Sequence, residues 1–310
     1  MVQENSIKNK IIIICGATAS GKSDLAIECA KLFDTEIISA DSMYIYKSLD
    51  IGTAKPSLAE MQGIKHHIID VVSPNQTFSV SDYKKLAEPI INDIIDRGKV
   101  PIVCGGTGFY INSILYDLSY GNGEANLKVR EKYNNLAKEK GNEYVYNILL
   151  ELDKESALKL HFNDLKRVIR ALEIYHSGIK KSEIKDDFVP KYDYKAYSIN
   201  HQREHLYDRI NKRVDIMVKN GLIGEIQGLL DLGISKENQC MQAIGYKEII
   251  EYLQGNCSLE QAIDDIKLNT RHYAKRQITY FKKFELTQLT PDSPQNLAQI
   301  IFKEFNNDKQ

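Results

Sequence analysis

Gly16-Ala17-Thr18-Ala19-Ser20-Gly21-Lys22-Ser23 is the stretch that decides the fold. It matches the pattern G-x-x-x-x-G-K-[ST] at every fixed position. An apolar run at 11–15 precedes it, and a helical pattern begins near Ser23. The glycines let successive backbone N–H groups turn toward phosphate oxygens, while Lys22 and the helix N-terminus add positive charge. We therefore predict a phosphate-binding loop, in which Ser23 offers its hydroxyl to Mg²⁺.

The segments around this loop alternate between short apolar runs and helical stretches. Apolar runs at 11–15, 36–40 and 100–104 are typical of buried parallel strands in βαβ units. They predict an α/β fold, a P-loop NTPase-like parallel sheet flanked by helices. Further along the chain we predict a strand at 195–200, helices near 203–232, 244–254 and 258–285, an edge strand at 286–290 and a loose polar tail at 303–310.

The composition changes between residues 119 and 189, where lysine, glutamate and asparagine dominate helical patterns. Gly121-Asn122-Gly123 marks the start of this region. We predict an all-helical insertion domain at 119–189, carried by a core domain made of 1–118 and 190–310.

Charge and cysteine content exclude several classes of protein. The 310 residues carry a net charge of −1, so no overall basic field indicates a nucleic-acid partner. The run at 11–15 is too short for a signal sequence or a membrane span. Five cysteines without a C-x-x-C pair predict reduced thiols rather than disulfides or a zinc site. We expect a cytoplasmic protein, monomeric and without a membrane partner.

The strand at 100–104 lacks an acid that a nucleotide-hydrolysing P-loop enzyme ordinarily has. Such enzymes usually hold Mg²⁺ with an aspartate at the end of a second strand. Here the strand runs into Gly105-Gly106-Thr107-Gly108. Asp70 could substitute, although its surroundings at 66–70 are equally a strand with polar ends. An ATP-dependent kinase of small molecules or nucleotides remains open at this stage.

Asp41 and Thr107 are the candidate catalytic residues. Ligands of open α/β sheets bind beyond the carboxyl ends of the strands, and both residues follow predicted strands. A carboxylate near a bound diphosphate is suited to accept a proton, so Asp41 is a candidate general base. The alternatives are an ordinary turn aspartate and a tight glycine-rich turn around Thr107.

Taken together, the sequence motifs resemble one family along nearly the whole chain. GATASGKS at 16–23, DSMYIYK at 41–47, DIGTAKP at 50–56 and GGTGFY at 105–110 resemble segments of the tRNA dimethylallyltransferases, also called tRNA isopentenyltransferases. The similarity continues in NDLKRVIRALE at 163–173, RINKRVD at 209–215, AIGYKE at 243–248 and TRHYAKRQITY at 270–280. The chain departs from the usual pattern at Tyr44, Phe162, His272 and Tyr280, where glutamine, proline, glutamine and tryptophan are common.

This resemblance implies a prenyl transfer to RNA. A dimethylallyl group would pass from dimethylallyl diphosphate to N6 of the adenine 3′ of the anticodon, in tRNAs that read codons starting with U. The missing acid is then expected, because the loop holds the diphosphate of a prenyl donor. Arg213 would join residues 16–23 in binding that diphosphate, with Mg²⁺ at Ser23. Asp41 would be the base, and Thr107 would bond the bridging oxygen or position the amine.

The second substrate would be the anticodon stem-loop of tRNA. Residues 266–284 contain six Lys and Arg, no acid, and interleaved aromatics, a composition suited to RNA phosphates and stacked bases. For Phe281 we favour a place in the core. The predicted tRNA-binding residues are Asp41, Ser42, Met43, Tyr44, Lys166, Arg167, Arg170, Gln242, Gly245, Lys247, Arg271, Lys275, Arg276 and Lys282.

Two other functions stay open beside the kinase. A prenyltransferase acting on free adenine nucleotides, an adenylate isopentenyltransferase, would not need a helical insertion or a basic helix. A tRNA-binding protein with a vestigial loop would not need Lys22, Ser23, Asp41 and Thr107.

Overall fold

A computed structural model of the chain describes residues 9–118, 126–184 and 187–307. The strands are β1 (Lys10–Cys15), β2 (Ile37–Ser39), β3 (His66–His67), β4 (Ile102–Gly105), β5 (Tyr116–Asp117), β6 (Asp187–Pro190), β7 (Asp193–Ile199) and β8 (Thr287–Leu289). The α-helices are α1 (Lys22–Leu32), α2 (Val80–Asp96), α3 (Gly108–Leu115), α4 (Leu127–Lys140), α5 (Asn142–Leu152), α6 (Lys154–Ala157), α7 (Leu165–His176), α8 (Arg203–Lys219), α9 (Leu222–Asp231), α10 (Tyr246–Leu253), α11 (Leu259–Phe281) and α12 (Pro294–Asn307).

The central sheet has six strands in the order β3-β2-β4-β1-β7-β8, and the described pairs are all parallel. β1 lies near the middle, where Ile11 to Ile14 are fully buried. A strand covered on both faces has no need of alternating polar residues, which explains its continuous apolar run. The prediction of a P-loop-like α/β fold with a parallel sheet is confirmed, and β8 lies at the sheet edge as predicted.

The predicted polar tail at 303–310 is wrong for the residues that the structure describes. Residues 303–307 belong to α12, which packs against α1. Ile301 and Phe305 are 0% and 3% exposed, in one apolar cluster with Leu25 and Ile27. Apolar residues spaced four apart bury one face of a helix, so the polar residues between them lie on the solvent face and do not prevent helix formation. Residues 308–310 lie outside the described part of the chain.

The single helix predicted at 203–232 is wrong, because two helices occupy that stretch. α8 ends at Lys219, and Gly221 precedes α9 with a φ of 102°. Glycine adopts this left-handed conformation without the steric cost that other residues meet. The helix predicted at 258–285 ends earlier, at Phe281, which is 2% exposed and belongs to the core as expected.

The chain forms two compact units, Met1–Leu115 with Pro190–Gln310, and Tyr116–Val189. The smaller unit contains α4 to α7, packed around buried apolar residues such as Val145, Leu149 and Val168. It also carries β5 and β6, a two-stranded sheet that we did not predict. Gly121-Asn122-Gly123 lies outside the described residues. Within the described ranges, no helix combines the length and apolarity that crossing a bilayer requires.

Candidate functional site

Three neighbouring strands bring the phosphate loop, Asp41 and Thr107 to one edge of the sheet. β2, β4 and β1 are adjacent and parallel, so the loops that follow them lie side by side. The loops after β2 and β4 are joined directly. Thr107 N–H donates to Ala40 O at 3.0 Å, and Ser42 N–H donates to Thr107 Oγ1 at 3.0 Å. A Cβ atom at Gly105 would lie 2.1 Å from Ala40 O, so this approach requires glycine.

Three carbonyl oxygens of the phosphate loop are engaged by side chains rather than by the loop's own backbone amides. Lys22 Nζ donates to Ala17 O at 3.2 Å, Arg209 Nε donates to Ala19 O at 2.7 Å, and His201 Nε2 lies 2.8 Å from Ser20 O. Ala19 and Gly21 have φ values of 60° and 92°. Left-handed residues within such a loop turn successive N–H groups toward one concave face, which suits anions.

A cleft of about 750 Å³ opens beside this loop within the larger unit. Thr18, Ala19, Ser20, Gly21, Lys22 and Ser23 line it. Gly16 and Ala17 are buried and are not among the lining residues. Other sides of the cleft are formed by residues of α8, α11 and the segment before α10, including Arg213, Tyr273 and Gly245.

Asp41 lines the cleft, directly after β2. Its Oδ1 accepts from Met43 N–H at 2.9 Å, which fixes the direction of the carboxylate. In the described part of the chain no group donates to its Oδ2. Thr107 is not a lining residue, but it bonds Ser42 and contacts Tyr273, and both of these line the cleft. Burial and the nearby Asp41 charge raise the pKa of Tyr273 to about 12, so its hydroxyl stays protonated.

Two cations face the phosphate loop. Lys22 is half-buried, and burial lowers its pKa, while Asp41 nearby opposes that shift. Arg213 lies close enough to Lys22 to lower its pKa further, and Arg213 Nη2 donates to Thr53 O at 3.0 Å. Because neighbouring cations repel one another, an anion bound between them would relieve the repulsion.

The predicted tRNA-binding residues fall into three groups. The first group lines the cleft and consists of Asp41, Ser42, Met43, Tyr44, Gln242, Gly245, Lys247 and Arg276. Lys275 and Arg276 line a groove of about 490 Å³ along α11, and Lys282 is exposed at the end of that helix. Arg271 Nη1 donates to Asn211 Oδ1 at 2.8 Å on α8. The hydroxyl of Tyr44 donates to Ala54 O at 2.8 Å.

Lys166, Arg167 and Arg170 lie on α7 in the smaller unit. Lys166 and Arg167 are exposed. Arg170 Nη1 lies 2.6 Å from Glu173 Oε2, and Glu173 is only 4% exposed. The Arg170 guanidinium therefore compensates a buried carboxylate inside its own unit.

Sequence reasoning missed three residues that hold the phosphate loop in place. Gln277 bonds the loop from α11, Arg209 bonds it from α8, and His201 bonds it from the segment between β7 and α8. Gln277 lies one helical turn after Tyr273, so the four-residue spacing within residues 270–280 could have indicated a shared helix face. The partner of that face could not be seen in the sequence, because it lies 259 positions away.

Asp70, the substitute considered for the missing strand-end acid, is engaged elsewhere. Its Oδ1 lies 2.5 Å from Lys55 Nζ, which also pairs with Asp50 at 2.7 Å. The Lys55 side chain is 4% exposed, so its charge requires such partners. Asp70 is not among the residues that line the cleft.

Comparisons with known proteins agree on one family. A family model described as IPP transferase matches residues 44–284. A tRNA dimethylallyltransferase of Caldanaerobacter subterraneus subsp. tengcongensis is 50% identical over 289 residues, covering 89% of this chain and 90% of its own. One of Clostridioides difficile is 49% identical over 280 residues, with 90% of each chain covered.

Solved structures give the same result. A tRNA delta(2)-isopentenylpyrophosphate transferase of Staphylococcus epidermidis is 44% identical, with a TM-score of 0.72, 97% of this chain and 100% of that chain covered. A eukaryotic dimethylallyltransferase acting on tRNA is 31% identical, with a TM-score of 0.83, 96% of this chain and 80% of that chain covered.

Proposed function

The chain belongs to the IPP transferase family, and on that premise we propose that it transfers a dimethylallyl group from dimethylallyl diphosphate to tRNA. The acceptor is N6 of the adenine 3′ of the anticodon, in tRNAs that read codons starting with U, and the leaving group is pyrophosphate. We also propose that the protein acts as a cytoplasmic monomer.

The observation that carries the proposal is the convergence of a phosphate loop and a carboxylate on one cleft. The loop amides, Lys22 and Asp41 line the same cavity of about 750 Å³, which is of a size that holds a small organic ligand. The strand beside the loop, β4, ends in Gly105, and Asp70 is paired with Lys55. This arrangement favours a loop that holds a leaving diphosphate over one that activates ATP.

The reaction needs a base beside the adenine amine and an anion-binding site for the leaving pyrophosphate. The lone pair of the adenine amine is delocalised into the ring, so the amine is a weak nucleophile. Asp41 accepts the N6 proton as the new N–C bond forms, and its Oδ2 is available for that step. The C–O bond of the donor breaks at the same time, and its electron pair leaves with pyrophosphate. Loop amides, Lys22 and Arg213 stabilise the charge that develops there.

Mg²⁺ fits the donor set at the start of α1. Ser23 offers a hydroxyl oxygen and the diphosphate offers anionic oxygens, which are the hard ligands that Mg²⁺ prefers. In this position the ion would neutralise charge on the departing diphosphate. Ser23 lines the cleft next to Lys22, which is consistent with that role.

Thr107 and Tyr44 have positioning roles in this proposal. Thr107 Oγ1 accepts from Ser42 N–H and so holds the loop that carries Asp41. Tyr44 stands where glutamine is common in the family, and its hydroxyl is engaged by Ala54 O. We therefore assign Tyr44 packing against the base rather than hydrogen bonding to its edge.

The tRNA must present its adenine unstacked, because a base inside the anticodon loop cannot reach the cleft. Flipping costs a few kcal/mol, which contacts to the remaining tRNA have to offset. We assign these contacts to the basic residues of α11, namely Arg271, Lys275, Arg276 and Lys282, to Gln242, Gly245 and Lys247, and to Lys166, Arg167 and Arg170 of the smaller unit.

The decisive experiment incubates the purified protein with labelled dimethylallyl diphosphate, Mg²⁺ and unmodified tRNA. Label is expected in tRNA, at the adenine 3′ of the anticodon. AMP replaces tRNA in a second reaction, and ATP replaces the prenyl donor in a third. Transfer to AMP but not to tRNA would indicate an adenylate isopentenyltransferase, and ATP-dependent phosphorylation would indicate a kinase. Size-exclusion chromatography with light scattering tests the monomer.

A further inference from the structure

Gln277 touches both loops on which the proposed reaction depends. Its side chain is 5% exposed on α11. Its Oε1 accepts from Thr18 N–H in the phosphate loop at 2.8 Å, and its Nε2 donates to Gly106 O at 3.0 Å. One buried amide therefore joins the loop after β1 to the turn after β4, with both of its polar atoms bonded.

The two hydrogen bonds of Gln277 lie just beyond the last residue pair between β1 and β4. The pairing of β1 with β4 runs as far as Cys15 opposite Gly105, and the two chains then separate. Thr18 and Gly106 lie just past that point, where no ladder hydrogen bond sets their distance. Gln277 supplies the missing connection between them.

The surroundings of Gln277 are shaped to keep it in place. Ala274, almost one helical turn earlier, is fully buried in a cluster with Ala17 of the phosphate loop. A Cβ atom at Gly106 would lie 2.1 Å from Gln277 Nε2, so a larger residue at 106 would displace the Gln277 amide from this position. Tyr273, one turn before Gln277, lies beside both Gln277 and Thr107.

We propose that Gln277 is a positioning residue that sets the separation between the bound diphosphate and the Asp41–Thr107 pair. This inference rests on the proposed function, in which the loop after β1 places the donor and the loops after β2 and β4 place the adenine. The reacting carbon and nitrogen must come within about 3–3.5 Å, and a misplacement of about 1 Å can cost 10²-fold in rate.

The first test is Gln277→Met, which keeps the approximate volume of the side chain and removes both hydrogen bonds. With both substrates saturating, the single-turnover rate is expected to fall by roughly 100-fold. The Kd values for pyrophosphate and tRNA are expected to stay within about threefold, because both polar atoms of Gln277 are bonded to protein groups and neither is left for a ligand. Gln261→Met, at an exposed position of the same helix, is the matched control and should keep the wild-type rate.

The second test uses Gly106→Ala, in which the added methyl group would clash with the side-chain amide of Gln277. Alone it should lower the rate to a similar degree. Combined with Gln277→Ala it should cost little more than Gln277→Ala alone, because the added methyl then has space. Losses that multiply independently would contradict the bridge.

The two proposals fail in different ways. An active wild type with an equally active Gln277→Met contradicts the positioning role alone, as does a rate loss fully explained by weaker pyrophosphate or tRNA binding. A wild type that transfers no prenyl group to tRNA contradicts the proposed function, and the positioning role with it.

Discussion

At the scale of single residues, two carboxylates at opposite ends of β2 have different roles. Glu36 precedes the strand, and Asp41 follows it. Asp41 faces the cleft with one oxygen tied to Met43 N–H. Glu36 lies at the other end of the strand, with Arg97 Nη1 and His67 Nε2 each 2.6 Å away. The first carboxylate is available for chemistry, whereas the second holds neighbouring elements together.

Replacing Asp41 by alanine removes the proposed base and leaves the phosphate loop unchanged. The rate of prenyl transfer should fall by roughly 10²–10⁴-fold, the usual contribution of a general base. Binding of tRNA should remain largely intact, since many other groups contribute to it. Single-turnover kinetics and filter binding measure the two quantities. Unchanged turnover would remove Asp41 from the mechanism.

Replacing Glu36 by glutamine should destabilise the fold in a pH-dependent way. Hydrogen bonding from Arg97, with help from His67, lowers the pKa of Glu36 from its ordinary 4.5 to about 2. The stability that this carboxylate contributes is therefore fully present above pH 4.5 and is lost as the pH falls toward 2. We expect a cost of about 1 kcal/mol at pH 7, as for a solvent-screened ion pair, shrinking below pH 4.

Urea denaturation at pH 7 and at pH 3 measures this difference between wild type and Glu36→Gln. Glu28→Gln is the control, because Glu28 forms a single surface pair with Lys31 along α1. That variant should cost only a few tenths of a kcal/mol. An equal loss for Glu36→Gln at both pH values would contradict the assignment.

At the scale of elements, α11 contacts the phosphate loop with one face and carries the proposed tRNA-binding residues on another. Gln277 and Ala274 face the phosphate loop, while Lys275 and Arg276 line the groove on the helix exterior. A helix can serve both because residues one position apart point in different directions. Local basic charge is thus concentrated on an element of a chain whose net charge is −1.

Reversing the charge of Lys275 tests the RNA-binding role of this helix. Lys275→Glu should weaken tRNA binding and make the plot of log K against log salt shallower by about 1, as for one lost phosphate contact. Lys303→Glu on α12 is the matched control, since Lys303 is also exposed but lies on the helix that packs against α1. Equal effects of the two substitutions would indicate a general charge effect rather than a site on α11.

At the scale of the whole molecule, the chain leaves and re-enters the larger unit at neighbouring points. Lys191 N–H donates to Leu115 O at 2.8 Å. An insertion whose ends are this close can be removed without stretching the core. The smaller unit also has its own apolar cluster, so the larger unit does not need it to complete a core.

Replacing residues 117–189 by a short Gly-Ser linker separates the two proposed binding activities. The shortened protein should bind pyrophosphate with Kd within a few-fold of the wild type, because the cleft lies within the larger unit. Its affinity for tRNA should fall by at least roughly tenfold, since Lys166 and Arg167 are lost. Calorimetry and filter binding measure the two. Full tRNA affinity would show that the smaller unit makes no contribution.

Much of the fold and part of the candidate site could be predicted because they depend on local patterns. Buried parallel strands need continuous apolar runs, so β1, β2 and β4 were visible in the sequence. A loop that points its amides inward needs glycines at set positions, so residues 16–23 were visible too. Asp41 and Thr107 could be placed because parallel strands end at the same edge.

The sequence by itself thus determined the fold class, the phosphate loop and the strand-end residues beside it. Only the tertiary structure decided which distant elements complete them. Gln277 accepts a hydrogen bond from Thr18, which lies 259 positions away in the sequence. Phe305 is buried, so the C-terminal segment predicted to be a loose polar tail is a helix packed on the core. Backbone geometry and strand burial leave local signals in a sequence, whereas a long-range contact depends on how helices pack. The four-residue spacing of Ile301 and Phe305 indicates a buried helix face, but no residue pattern near Thr18 or Phe305 identifies the element that packs against them.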